Sequence, residues 1–238
     1  MIELAIKAAI CAIFAAIALK YRILDSSGTF FAIIIGAVII FTKGIAWFSL
    51  LLIFLFAGAA ATKYRREIKR KRLHERAARK AGNVIANGLV PAAIAALSLK
   101  YNLAIPFVAS IAVAMADTLA SELGVLSDNA YLITNLKKVE PGTNGAISML
   151  GEGVALLGSF IIAFSAYFLI GIDLWEVILC GSLGFLGCHI DSILGATFQG
   201  GYKGVMNGED TILTNSDVNL ISISLTALIA YLAVEAIA

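Results

Sequence analysis

Charge is what this sequence has least of. Asp, Glu, Lys and Arg make up 14% of the 238 residues, where a soluble domain carries roughly a quarter. With 60% hydrophobic residues and a mean hydropathy of +0.92, a soluble globular fold is excluded and an all-α polytopic membrane protein is expected. Cysteine is scarce too. Cys11, Cys180 and Cys188 lie in apolar runs without metal-ligand spacing, so they read as small buried hydrophobes and imply no disulfide framework. Histidine is confined to His74, in a basic run with no partner pattern, and His189. The latter adjoins Cys188, but adjacent residues face different sides of a helix, which disfavours a zinc pair. No GxxxxGK[ST] occurs, so there is no P-loop. A cleavable leader is not expected, because Glu3 and Lys7 interrupt the first apolar run and no small-residue cleavage site follows it. No nucleic-acid partner is expected.

What the chain has in quantity is apolar runs. Eight can be drawn, at about 2–20, 27–42, 45–62, 83–99, 103–122, 147–170, 174–198 and 217–237. About eight transmembrane helices follow from them, although the second run is short enough for a re-entrant path. Three regions result: an N-terminal three-span part (1–62), a basic linker (63–80) and a motif-bearing membrane part (81–238).

The linker KYRREIKRKRLHERAARK carries ten basic residues against Glu67 and Glu75. The positive-inside rule makes it cytoplasmic. Threading eight spans through that anchor puts both termini outside. It also places every Lys and Arg except Lys7, Lys43 and Lys100 on the inner side. The long polar connections 121–146 and 199–216 then face the cytoplasm, so the active site is expected at that interface. A basic run beside a membrane most often marks topology and touches anionic lipid; drawing in a polyanionic substrate is the other use.

The residues able to do chemistry cluster in a few stretches. ADTLASELG (116–124) ends an apolar run with Asp117 and Glu122. A carboxylate inside a membrane is costly and defaults to a functional candidate. Ser121 shares a face with Asp117, and the oxygens suit a hard cation such as Mg²⁺. The alternative is a carboxylate that merely ends a span. KKVEPGTNGAIS (137–148) holds Lys138, then Gly142, Thr143, Asn144 and Gly145 in two turns, then Ser148 at a helix start. Backbone N–H groups in such a turn can cradle phosphate, and an ordinary tight turn is the plainer reading. GCHIDSILGATFQGG (187–201) brings Asp191, Gly195 and Gln199 onto one helical face, with Thr197 nearby. Glycines 181, 184, 187 and 195 leave room for close helix approach. Asn83 and Asn87 share a face at the start of the fourth span, either as interhelical glue or as substrate contacts. A last polar run holds Lys203, Asn207, Asp210, Thr214, Asp217 and Asn219. Asp117-Thr118-Leu119 and Asp191-Ser192-Ile193 echo one another, as a faint duplication that could bring the two acids together.

ADTLASELG, PGTNGAIS, DSILGATFQG and NSDVNL, in that order and in a membrane setting, resemble the membrane family of the plant phytyl-phosphate (prenyl-phosphate) kinases, which is similar to the phytol and dolichol kinases. The resemblance runs from about Arg79 to the C-terminus; the first three spans match only in character. It implies a nucleotide-dependent phosphotransferase that moves the γ-phosphoryl group of CTP onto a membrane prenyl monophosphate, with Mg²⁺ as cofactor. Under it, Asp117, Glu122 and Asp191 hold the metal. Lys138, Gly142, Thr143, Asn144, Gly145 and Ser148 take the nucleotide phosphates. Asn83, Asn87, Ser121, Thr197, Gln199 and Asn219 contact substrate. A lipid cytidylyltransferase and an ion-coupled small-solute transporter are the alternative functions.

Overall fold

The computed structural model describes residues 2–21, 23–73, 81–199 and 212–237. His74, Lys203, Asn207 and Asp210 lie outside them. The eight apolar runs are eight helices: α1 (Ile2–Lys20), α2 (Ser26–Lys43), α3 (Ile45–Lys63), then, after the short basic helix α4 (Arg66–Leu73), α5 (Ala81–Leu97), α6 (Ala104–Gly124), α7 (Met149–Ile170), α8 (Leu174–Phe198) and α9 (Asn215–Ile237). Six of them, α2, α3, α6, α7, α8 and α9, are long and apolar enough to cross a membrane. The chain is an all-α polytopic membrane protein. The second run forms an unbroken 18-residue helix rather than a re-entrant turn. It starts where the Asp25 carboxylate accepts the N–H of Gly28 and stops at Gly44, whose φ is 84°.

α6 is the central rod. Of its apolar window, 78% is inside the protein, against 28–39% in the other five. Its sequence explains this. Ala109, Ser110, Ala112, Ala114 and Ala116 are all buried, and side chains this small let neighbouring backbones come close, which is how helices associate in lipid. α7, α8 and α9 pack around it. On α8, a Cβ at Gly184 would strike Ala112, and one at Gly187 would strike Val113 and Thr226. The glycine stripe is thus the close-approach surface that the sequence suggests. α3 also packs on α6, while α2 lies on α5 and α1 on α2.

Side-chain contacts sort the connections into two ends. At one end Lys63 Nζ donates to Tyr21 O, Lys69 Nζ to the Glu122 carboxylate, and Ser148 Oγ to Gly124 O. That end gathers the α1–α2 turn, α4 and the α6–α7 connection. At the other, Lys43 Nζ donates to Ser98 O and lies over the Trp47 ring.

The α6–α7 connection is more than a polar loop. It contains three short strands, β1 (Ala130–Leu132), β2 (Lys138–Val139) and β3 (Ala146–Ile147), in the antiparallel order β2-β1-β3. Tyr131 faces Lys138 on one side and Ile147 on the other. This small sheet holds the glycine turn in place against α8.

Candidate functional site

A cavity of about 100 Å³ lies where α6, α7 and α8 meet the β2–β3 turn and the start of α9. Of the residues singled out in the sequence, it is lined by Asp117, Ser121, Gly142, Thr143, Asn144, Gly145, Ser148, Asp191 and Gln199. These come from three separate stretches of the chain, and the fold brings them to one place.

The two aspartates are its floor. Asp117 on α6 and Asp191 on α8 have their carboxyl groups within hydrogen-bonding reach of each other. Ser222 Oγ on α9 donates to Asp191 Oδ2 at 2.7 Å, and Ser222 also donates to Asn219 O. Two facing carboxyl groups beside a helix interface repel unless a proton or a cation lies between them. Mg²⁺ is commonly bound by one or two carboxylates together with substrate phosphates, so this donor pair fits such an ion. It is a pair and not a cage. Among the described residues no group of three or more His, Cys, Asp or Glu side chains is placed to hold a metal.

Glu122 is where the sequence expectation parts from the structure. One position round the helix from the Asp117–Ser121 face, its carboxylate points the other way. It accepts from Lys69 Nζ at 2.8 Å and from Thr62 Oγ1 at 3.0 Å. Lys69 is 4% exposed and also donates to the carbonyls of Ala61 and Thr62. Glu122 is thus the counter-charge of a buried lysine, and it ties α4 to the end of α6. It does not join Asp117 and Asp191.

The roof of the cavity is the turn Glu140–Ala146. Thr143 N donates to Glu140 O and Ala146 N to Thr143 O, two successive turns sharing Thr143. Each has glycine third, with φ of 93° at Gly142 and 71° at Gly145, the left-handed region that favours glycine. At Gly145 the requirement is double, because a Cβ would collide with Ala196 Cβ and Ser192 O on α8. The amides of Thr143 and Ala146 are used inside the turn, which narrows the anion cradle relative to the sequence expectation. Ser148 caps α7, accepting from Gly151 N while donating to Gly124 O. Its hydroxyl is occupied in joining α6 to α7.

Other candidates lie elsewhere. Lys138 Nζ donates to Asn129 Oδ1 at 2.8 Å on the exposed face of the sheet. Thr197 is exposed and its hydroxyl donates to Ile193 O. Asn83 and Asn87 line a second, apolar cavity. Asn219 lies between the two: its Nδ2 approaches Asn87 Oδ1 at 3.5 Å, and its Oδ1 accepts from Asn215 Nδ2 at 3.3 Å. Asp217 forms a reciprocal cap with Thr214 at the start of α9.

The structure also adds residues. Glu152, in the first turn of α7, lines the cavity and pairs with His189 Nε2 at 3.0 Å. His189 Nδ1 is 2.9 Å from Phe185 O. Ser192 and Asn215 line the cavity as well. In the sequence, Glu152 follows Ser148 by four residues as an ordinary first-turn acid; only its partner, 37 residues away in the chain numbering, marks it out.

Comparison with known proteins agrees with this architecture. A sequence profile for the family described as integral membrane protein DUF92 matches residues 9–227, and so includes part of α1 and all of α2 and α3. An uncharacterised membrane protein of Methanocaldococcus jannaschii, MJ0933, is 36% identical over 213 residues, covering 88% of both chains. The chloroplastic protein VTE6 of Arabidopsis thaliana is 32% identical over 225 residues, covering 88% of this chain and 65% of its own. Protein PGR of the same plant is 35% identical over 145 residues, about half of each chain. No solved structure matches.

Proposed function

The chain belongs to the DUF92 family of integral membrane proteins, and within it we propose that this protein is a nucleotide-dependent kinase acting on a membrane-borne prenyl monophosphate. The single observation that carries the reading is the cavity in which Asp117 and Asp191 face a glycine turn. The resemblance of these motifs to the phytyl-phosphate kinases supplies the substrates: CTP as donor and a prenyl phosphate as acceptor.

Phosphoryl transfer asks a protein mainly for positioning and charge neutralisation. Asp117 and Asp191 would hold Mg²⁺, which when bound neutralises charge on the phosphates. The Gly142–Gly145 turn lies over the same cavity and presents backbone to the nucleotide phosphates. Ser222 and the packing of α9 fix the Asp191 rotamer. His189 does the same for Glu152 at the α7 edge of the cavity. In the reaction an oxygen of the prenyl phosphate forms a bond to the γ-phosphorus. The bond from that phosphorus to the β–γ bridging oxygen breaks, and CDP leaves with the electron pair. The acceptor is already an anion, so no strong base is required.

An acceptor of this kind keeps its chain in the bilayer and its phosphate at the interface. By the positive-inside rule, the end of the bundle that bears α4 and the sheet is the cytoplasmic one, and CTP is met there. The test is purified protein in nanodiscs with Mg²⁺, prenyl phosphate and CTP labelled at the α or the γ position. Label from the γ position in the lipid is the expected result. Label from the α position makes the protein a cytidylyltransferase. No transfer from any nucleoside triphosphate, with nucleotide-independent solute uptake in proteoliposomes, makes it a transporter.

A further inference from the structure

A second, smaller cavity lies among α1, α2, α3 and α5. Its walls include Phe14, Ala32, Leu51, Leu52 and Leu55, and its polar lining is Asn83 and Asn87. Sites that take small molecules are mostly apolar, with a few placed polar groups. This one fits that description with its polar groups at one edge.

That edge points to the other cavity. Asn87 meets Asn219 across the α5–α9 contact, Asn219 meets Asn215, and Asn215 lines the aspartate cavity. Three asparagine side chains therefore form a polar ladder from the apolar cavity to the carboxylates. The helices carrying it are held close, since a Cβ at Gly82 would lie 3.1 Å from Ser216 Oγ. Asn87 also donates its Nδ2 to Asn83 O. Pro91, inside α5, withholds the N–H that the Asn87 carbonyl would accept in a regular helix. Amide side chains without net charge are suited to guiding a phosphate headgroup past apolar walls without trapping it as an ion pair would.

We propose that the α1–α2–α3–α5 cavity seats the hydrocarbon chain of the acceptor lipid, with the ladder Asn87–Asn219–Asn215 leading its headgroup to Asp117 and Asp191. The proposal rests on the kinase reading for the identity of the lipid. The rest is geometry: an apolar slot, a polar rung at one edge, and a carboxylate site at the end of the ladder. Chain preference then resides in the N-terminal helices and chemistry in α6 and α8.

Two experiments separate this proposal from the kinase reading. The first uses no turnover. A long prenyl phosphate bearing a diazirine at its chain end is photolysed with the protein in nanodiscs, and labelled peptides are mapped. Labels on α3 around Leu51–Leu55, lost in Leu52→Trp and retained in Leu157→Trp on the lipid-facing surface of α7, are the expected result. Labels confined to outward residues such as Leu157 and Phe168, 63% and 80% exposed, overturn the proposal. So does removal of the label by excess phosphatidylcholine, which would make the slot a general lipid site. Should no phosphoryl transfer be found with any acceptor, the kinase reading falls while this mapping still decides the slot.

The second experiment is kinetic. Leu52→Trp is expected to raise KM for a long-chain acceptor at least tenfold and so erase the preference for long over short chains, with kcat at saturation within twofold. Ala32→Leu fills the same space more gently and serves if the tryptophan variant unfolds. An unchanged chain-length preference in a folded variant overturns the proposal.

Discussion

Asp117 and Glu122 stand five residues apart on one helix and do opposite things. Asp117 meets a second carboxyl on the floor of a cavity; Glu122 faces a buried ammonium and a hydroxyl. The first arrangement is electrostatically incomplete and gains by admitting a cation. The second is closed. A carboxylate in a membrane protein is therefore read by what opposes it, not by its depth alone. The difference also separates two regions of the molecule, the α6–α8 face that handles charge and the α3–α4–α6 corner that holds the basic helix in place.

The sharpest break of that comparison is to neutralise each acid. Asp117→Asn or Asp191→Asn should lower kcat for phosphoryl transfer by about a thousandfold or more, the scale of losing a group that stabilises transferring charge. Both variants should stay folded, because removing one of two facing carboxylates removes their mutual repulsion. Thermal unfolding in detergent and steady-state assays measure the two effects separately. Retained turnover would remove the aspartates from the chemistry.

Glu122→Gln should do the reverse. It leaves Lys69 buried against a neutral partner, and breaking a buried pair from one side costs about 3–5 kcal/mol. The expected result is a markedly lower unfolding midpoint with turnover of the folded fraction within a few fold. Glu122→Leu combined with Lys69→Met should recover much of the loss, since an apolar replacement of both partners leaves no orphan charge. If Glu122→Gln instead abolishes activity at unchanged stability, the acid belongs with Asp117 after all.

Much of this was legible in the chain. The eight apolar runs fall on eight helices, and the turns at Gly142 and Gly145 follow from Pro141-Gly142 and Asn144-Gly145. Asp191, Gly195 and Gln199 share the face that a four-residue step assigns them. Glu122 was not legible, because one helical position decides between facing α8 and facing α4, and the sequence does not say where the neighbours stand. The strands were not legible either: two or three residues are too few to show alternation. Glu152 needed its partner His189 on another helix before it differed from any first-turn acid. The Asn87–Asn219 contact likewise joins spans far apart in the chain, which local pattern cannot reveal.

The turn gives a smaller effect that bears on the same contrast. Gly145→Ala meets both a left-handed backbone and the α8 surface. A strained φ of this kind costs about 1–3 kcal/mol, and the collision with Ser192 and Ala196 adds to it. Because the turn roofs the cavity, KM for the nucleotide should rise at least tenfold. Gly171→Ala offers the control: its φ is 74° but nothing lies within 4 Å of the added Cβ. It should lower stability by a similar strain and leave KM alone. Equal KM effects at both positions would mean that the turn acts only through the fold.

Lys138 provides the finest test. It is a cation two residues before Glu140 and the turn, which is why the sequence points to it as a phosphate ligand. In the structure its ammonium reaches Asn129 across the exposed face of the sheet, and surface contacts of this sort contribute little. Lys138→Ala should therefore change KM for the nucleotide by less than about threefold, with a somewhat shallower salt dependence if its charge steers the anion at a distance. A tenfold rise at constant salt would mean that the strand β2 turns over on binding and delivers the lysine to the cavity. The aspartate face would then share its charge handling with the sheet, and the division between a catalytic side and a structural side of α6 would have to be redrawn around the nucleotide rather than around the helix.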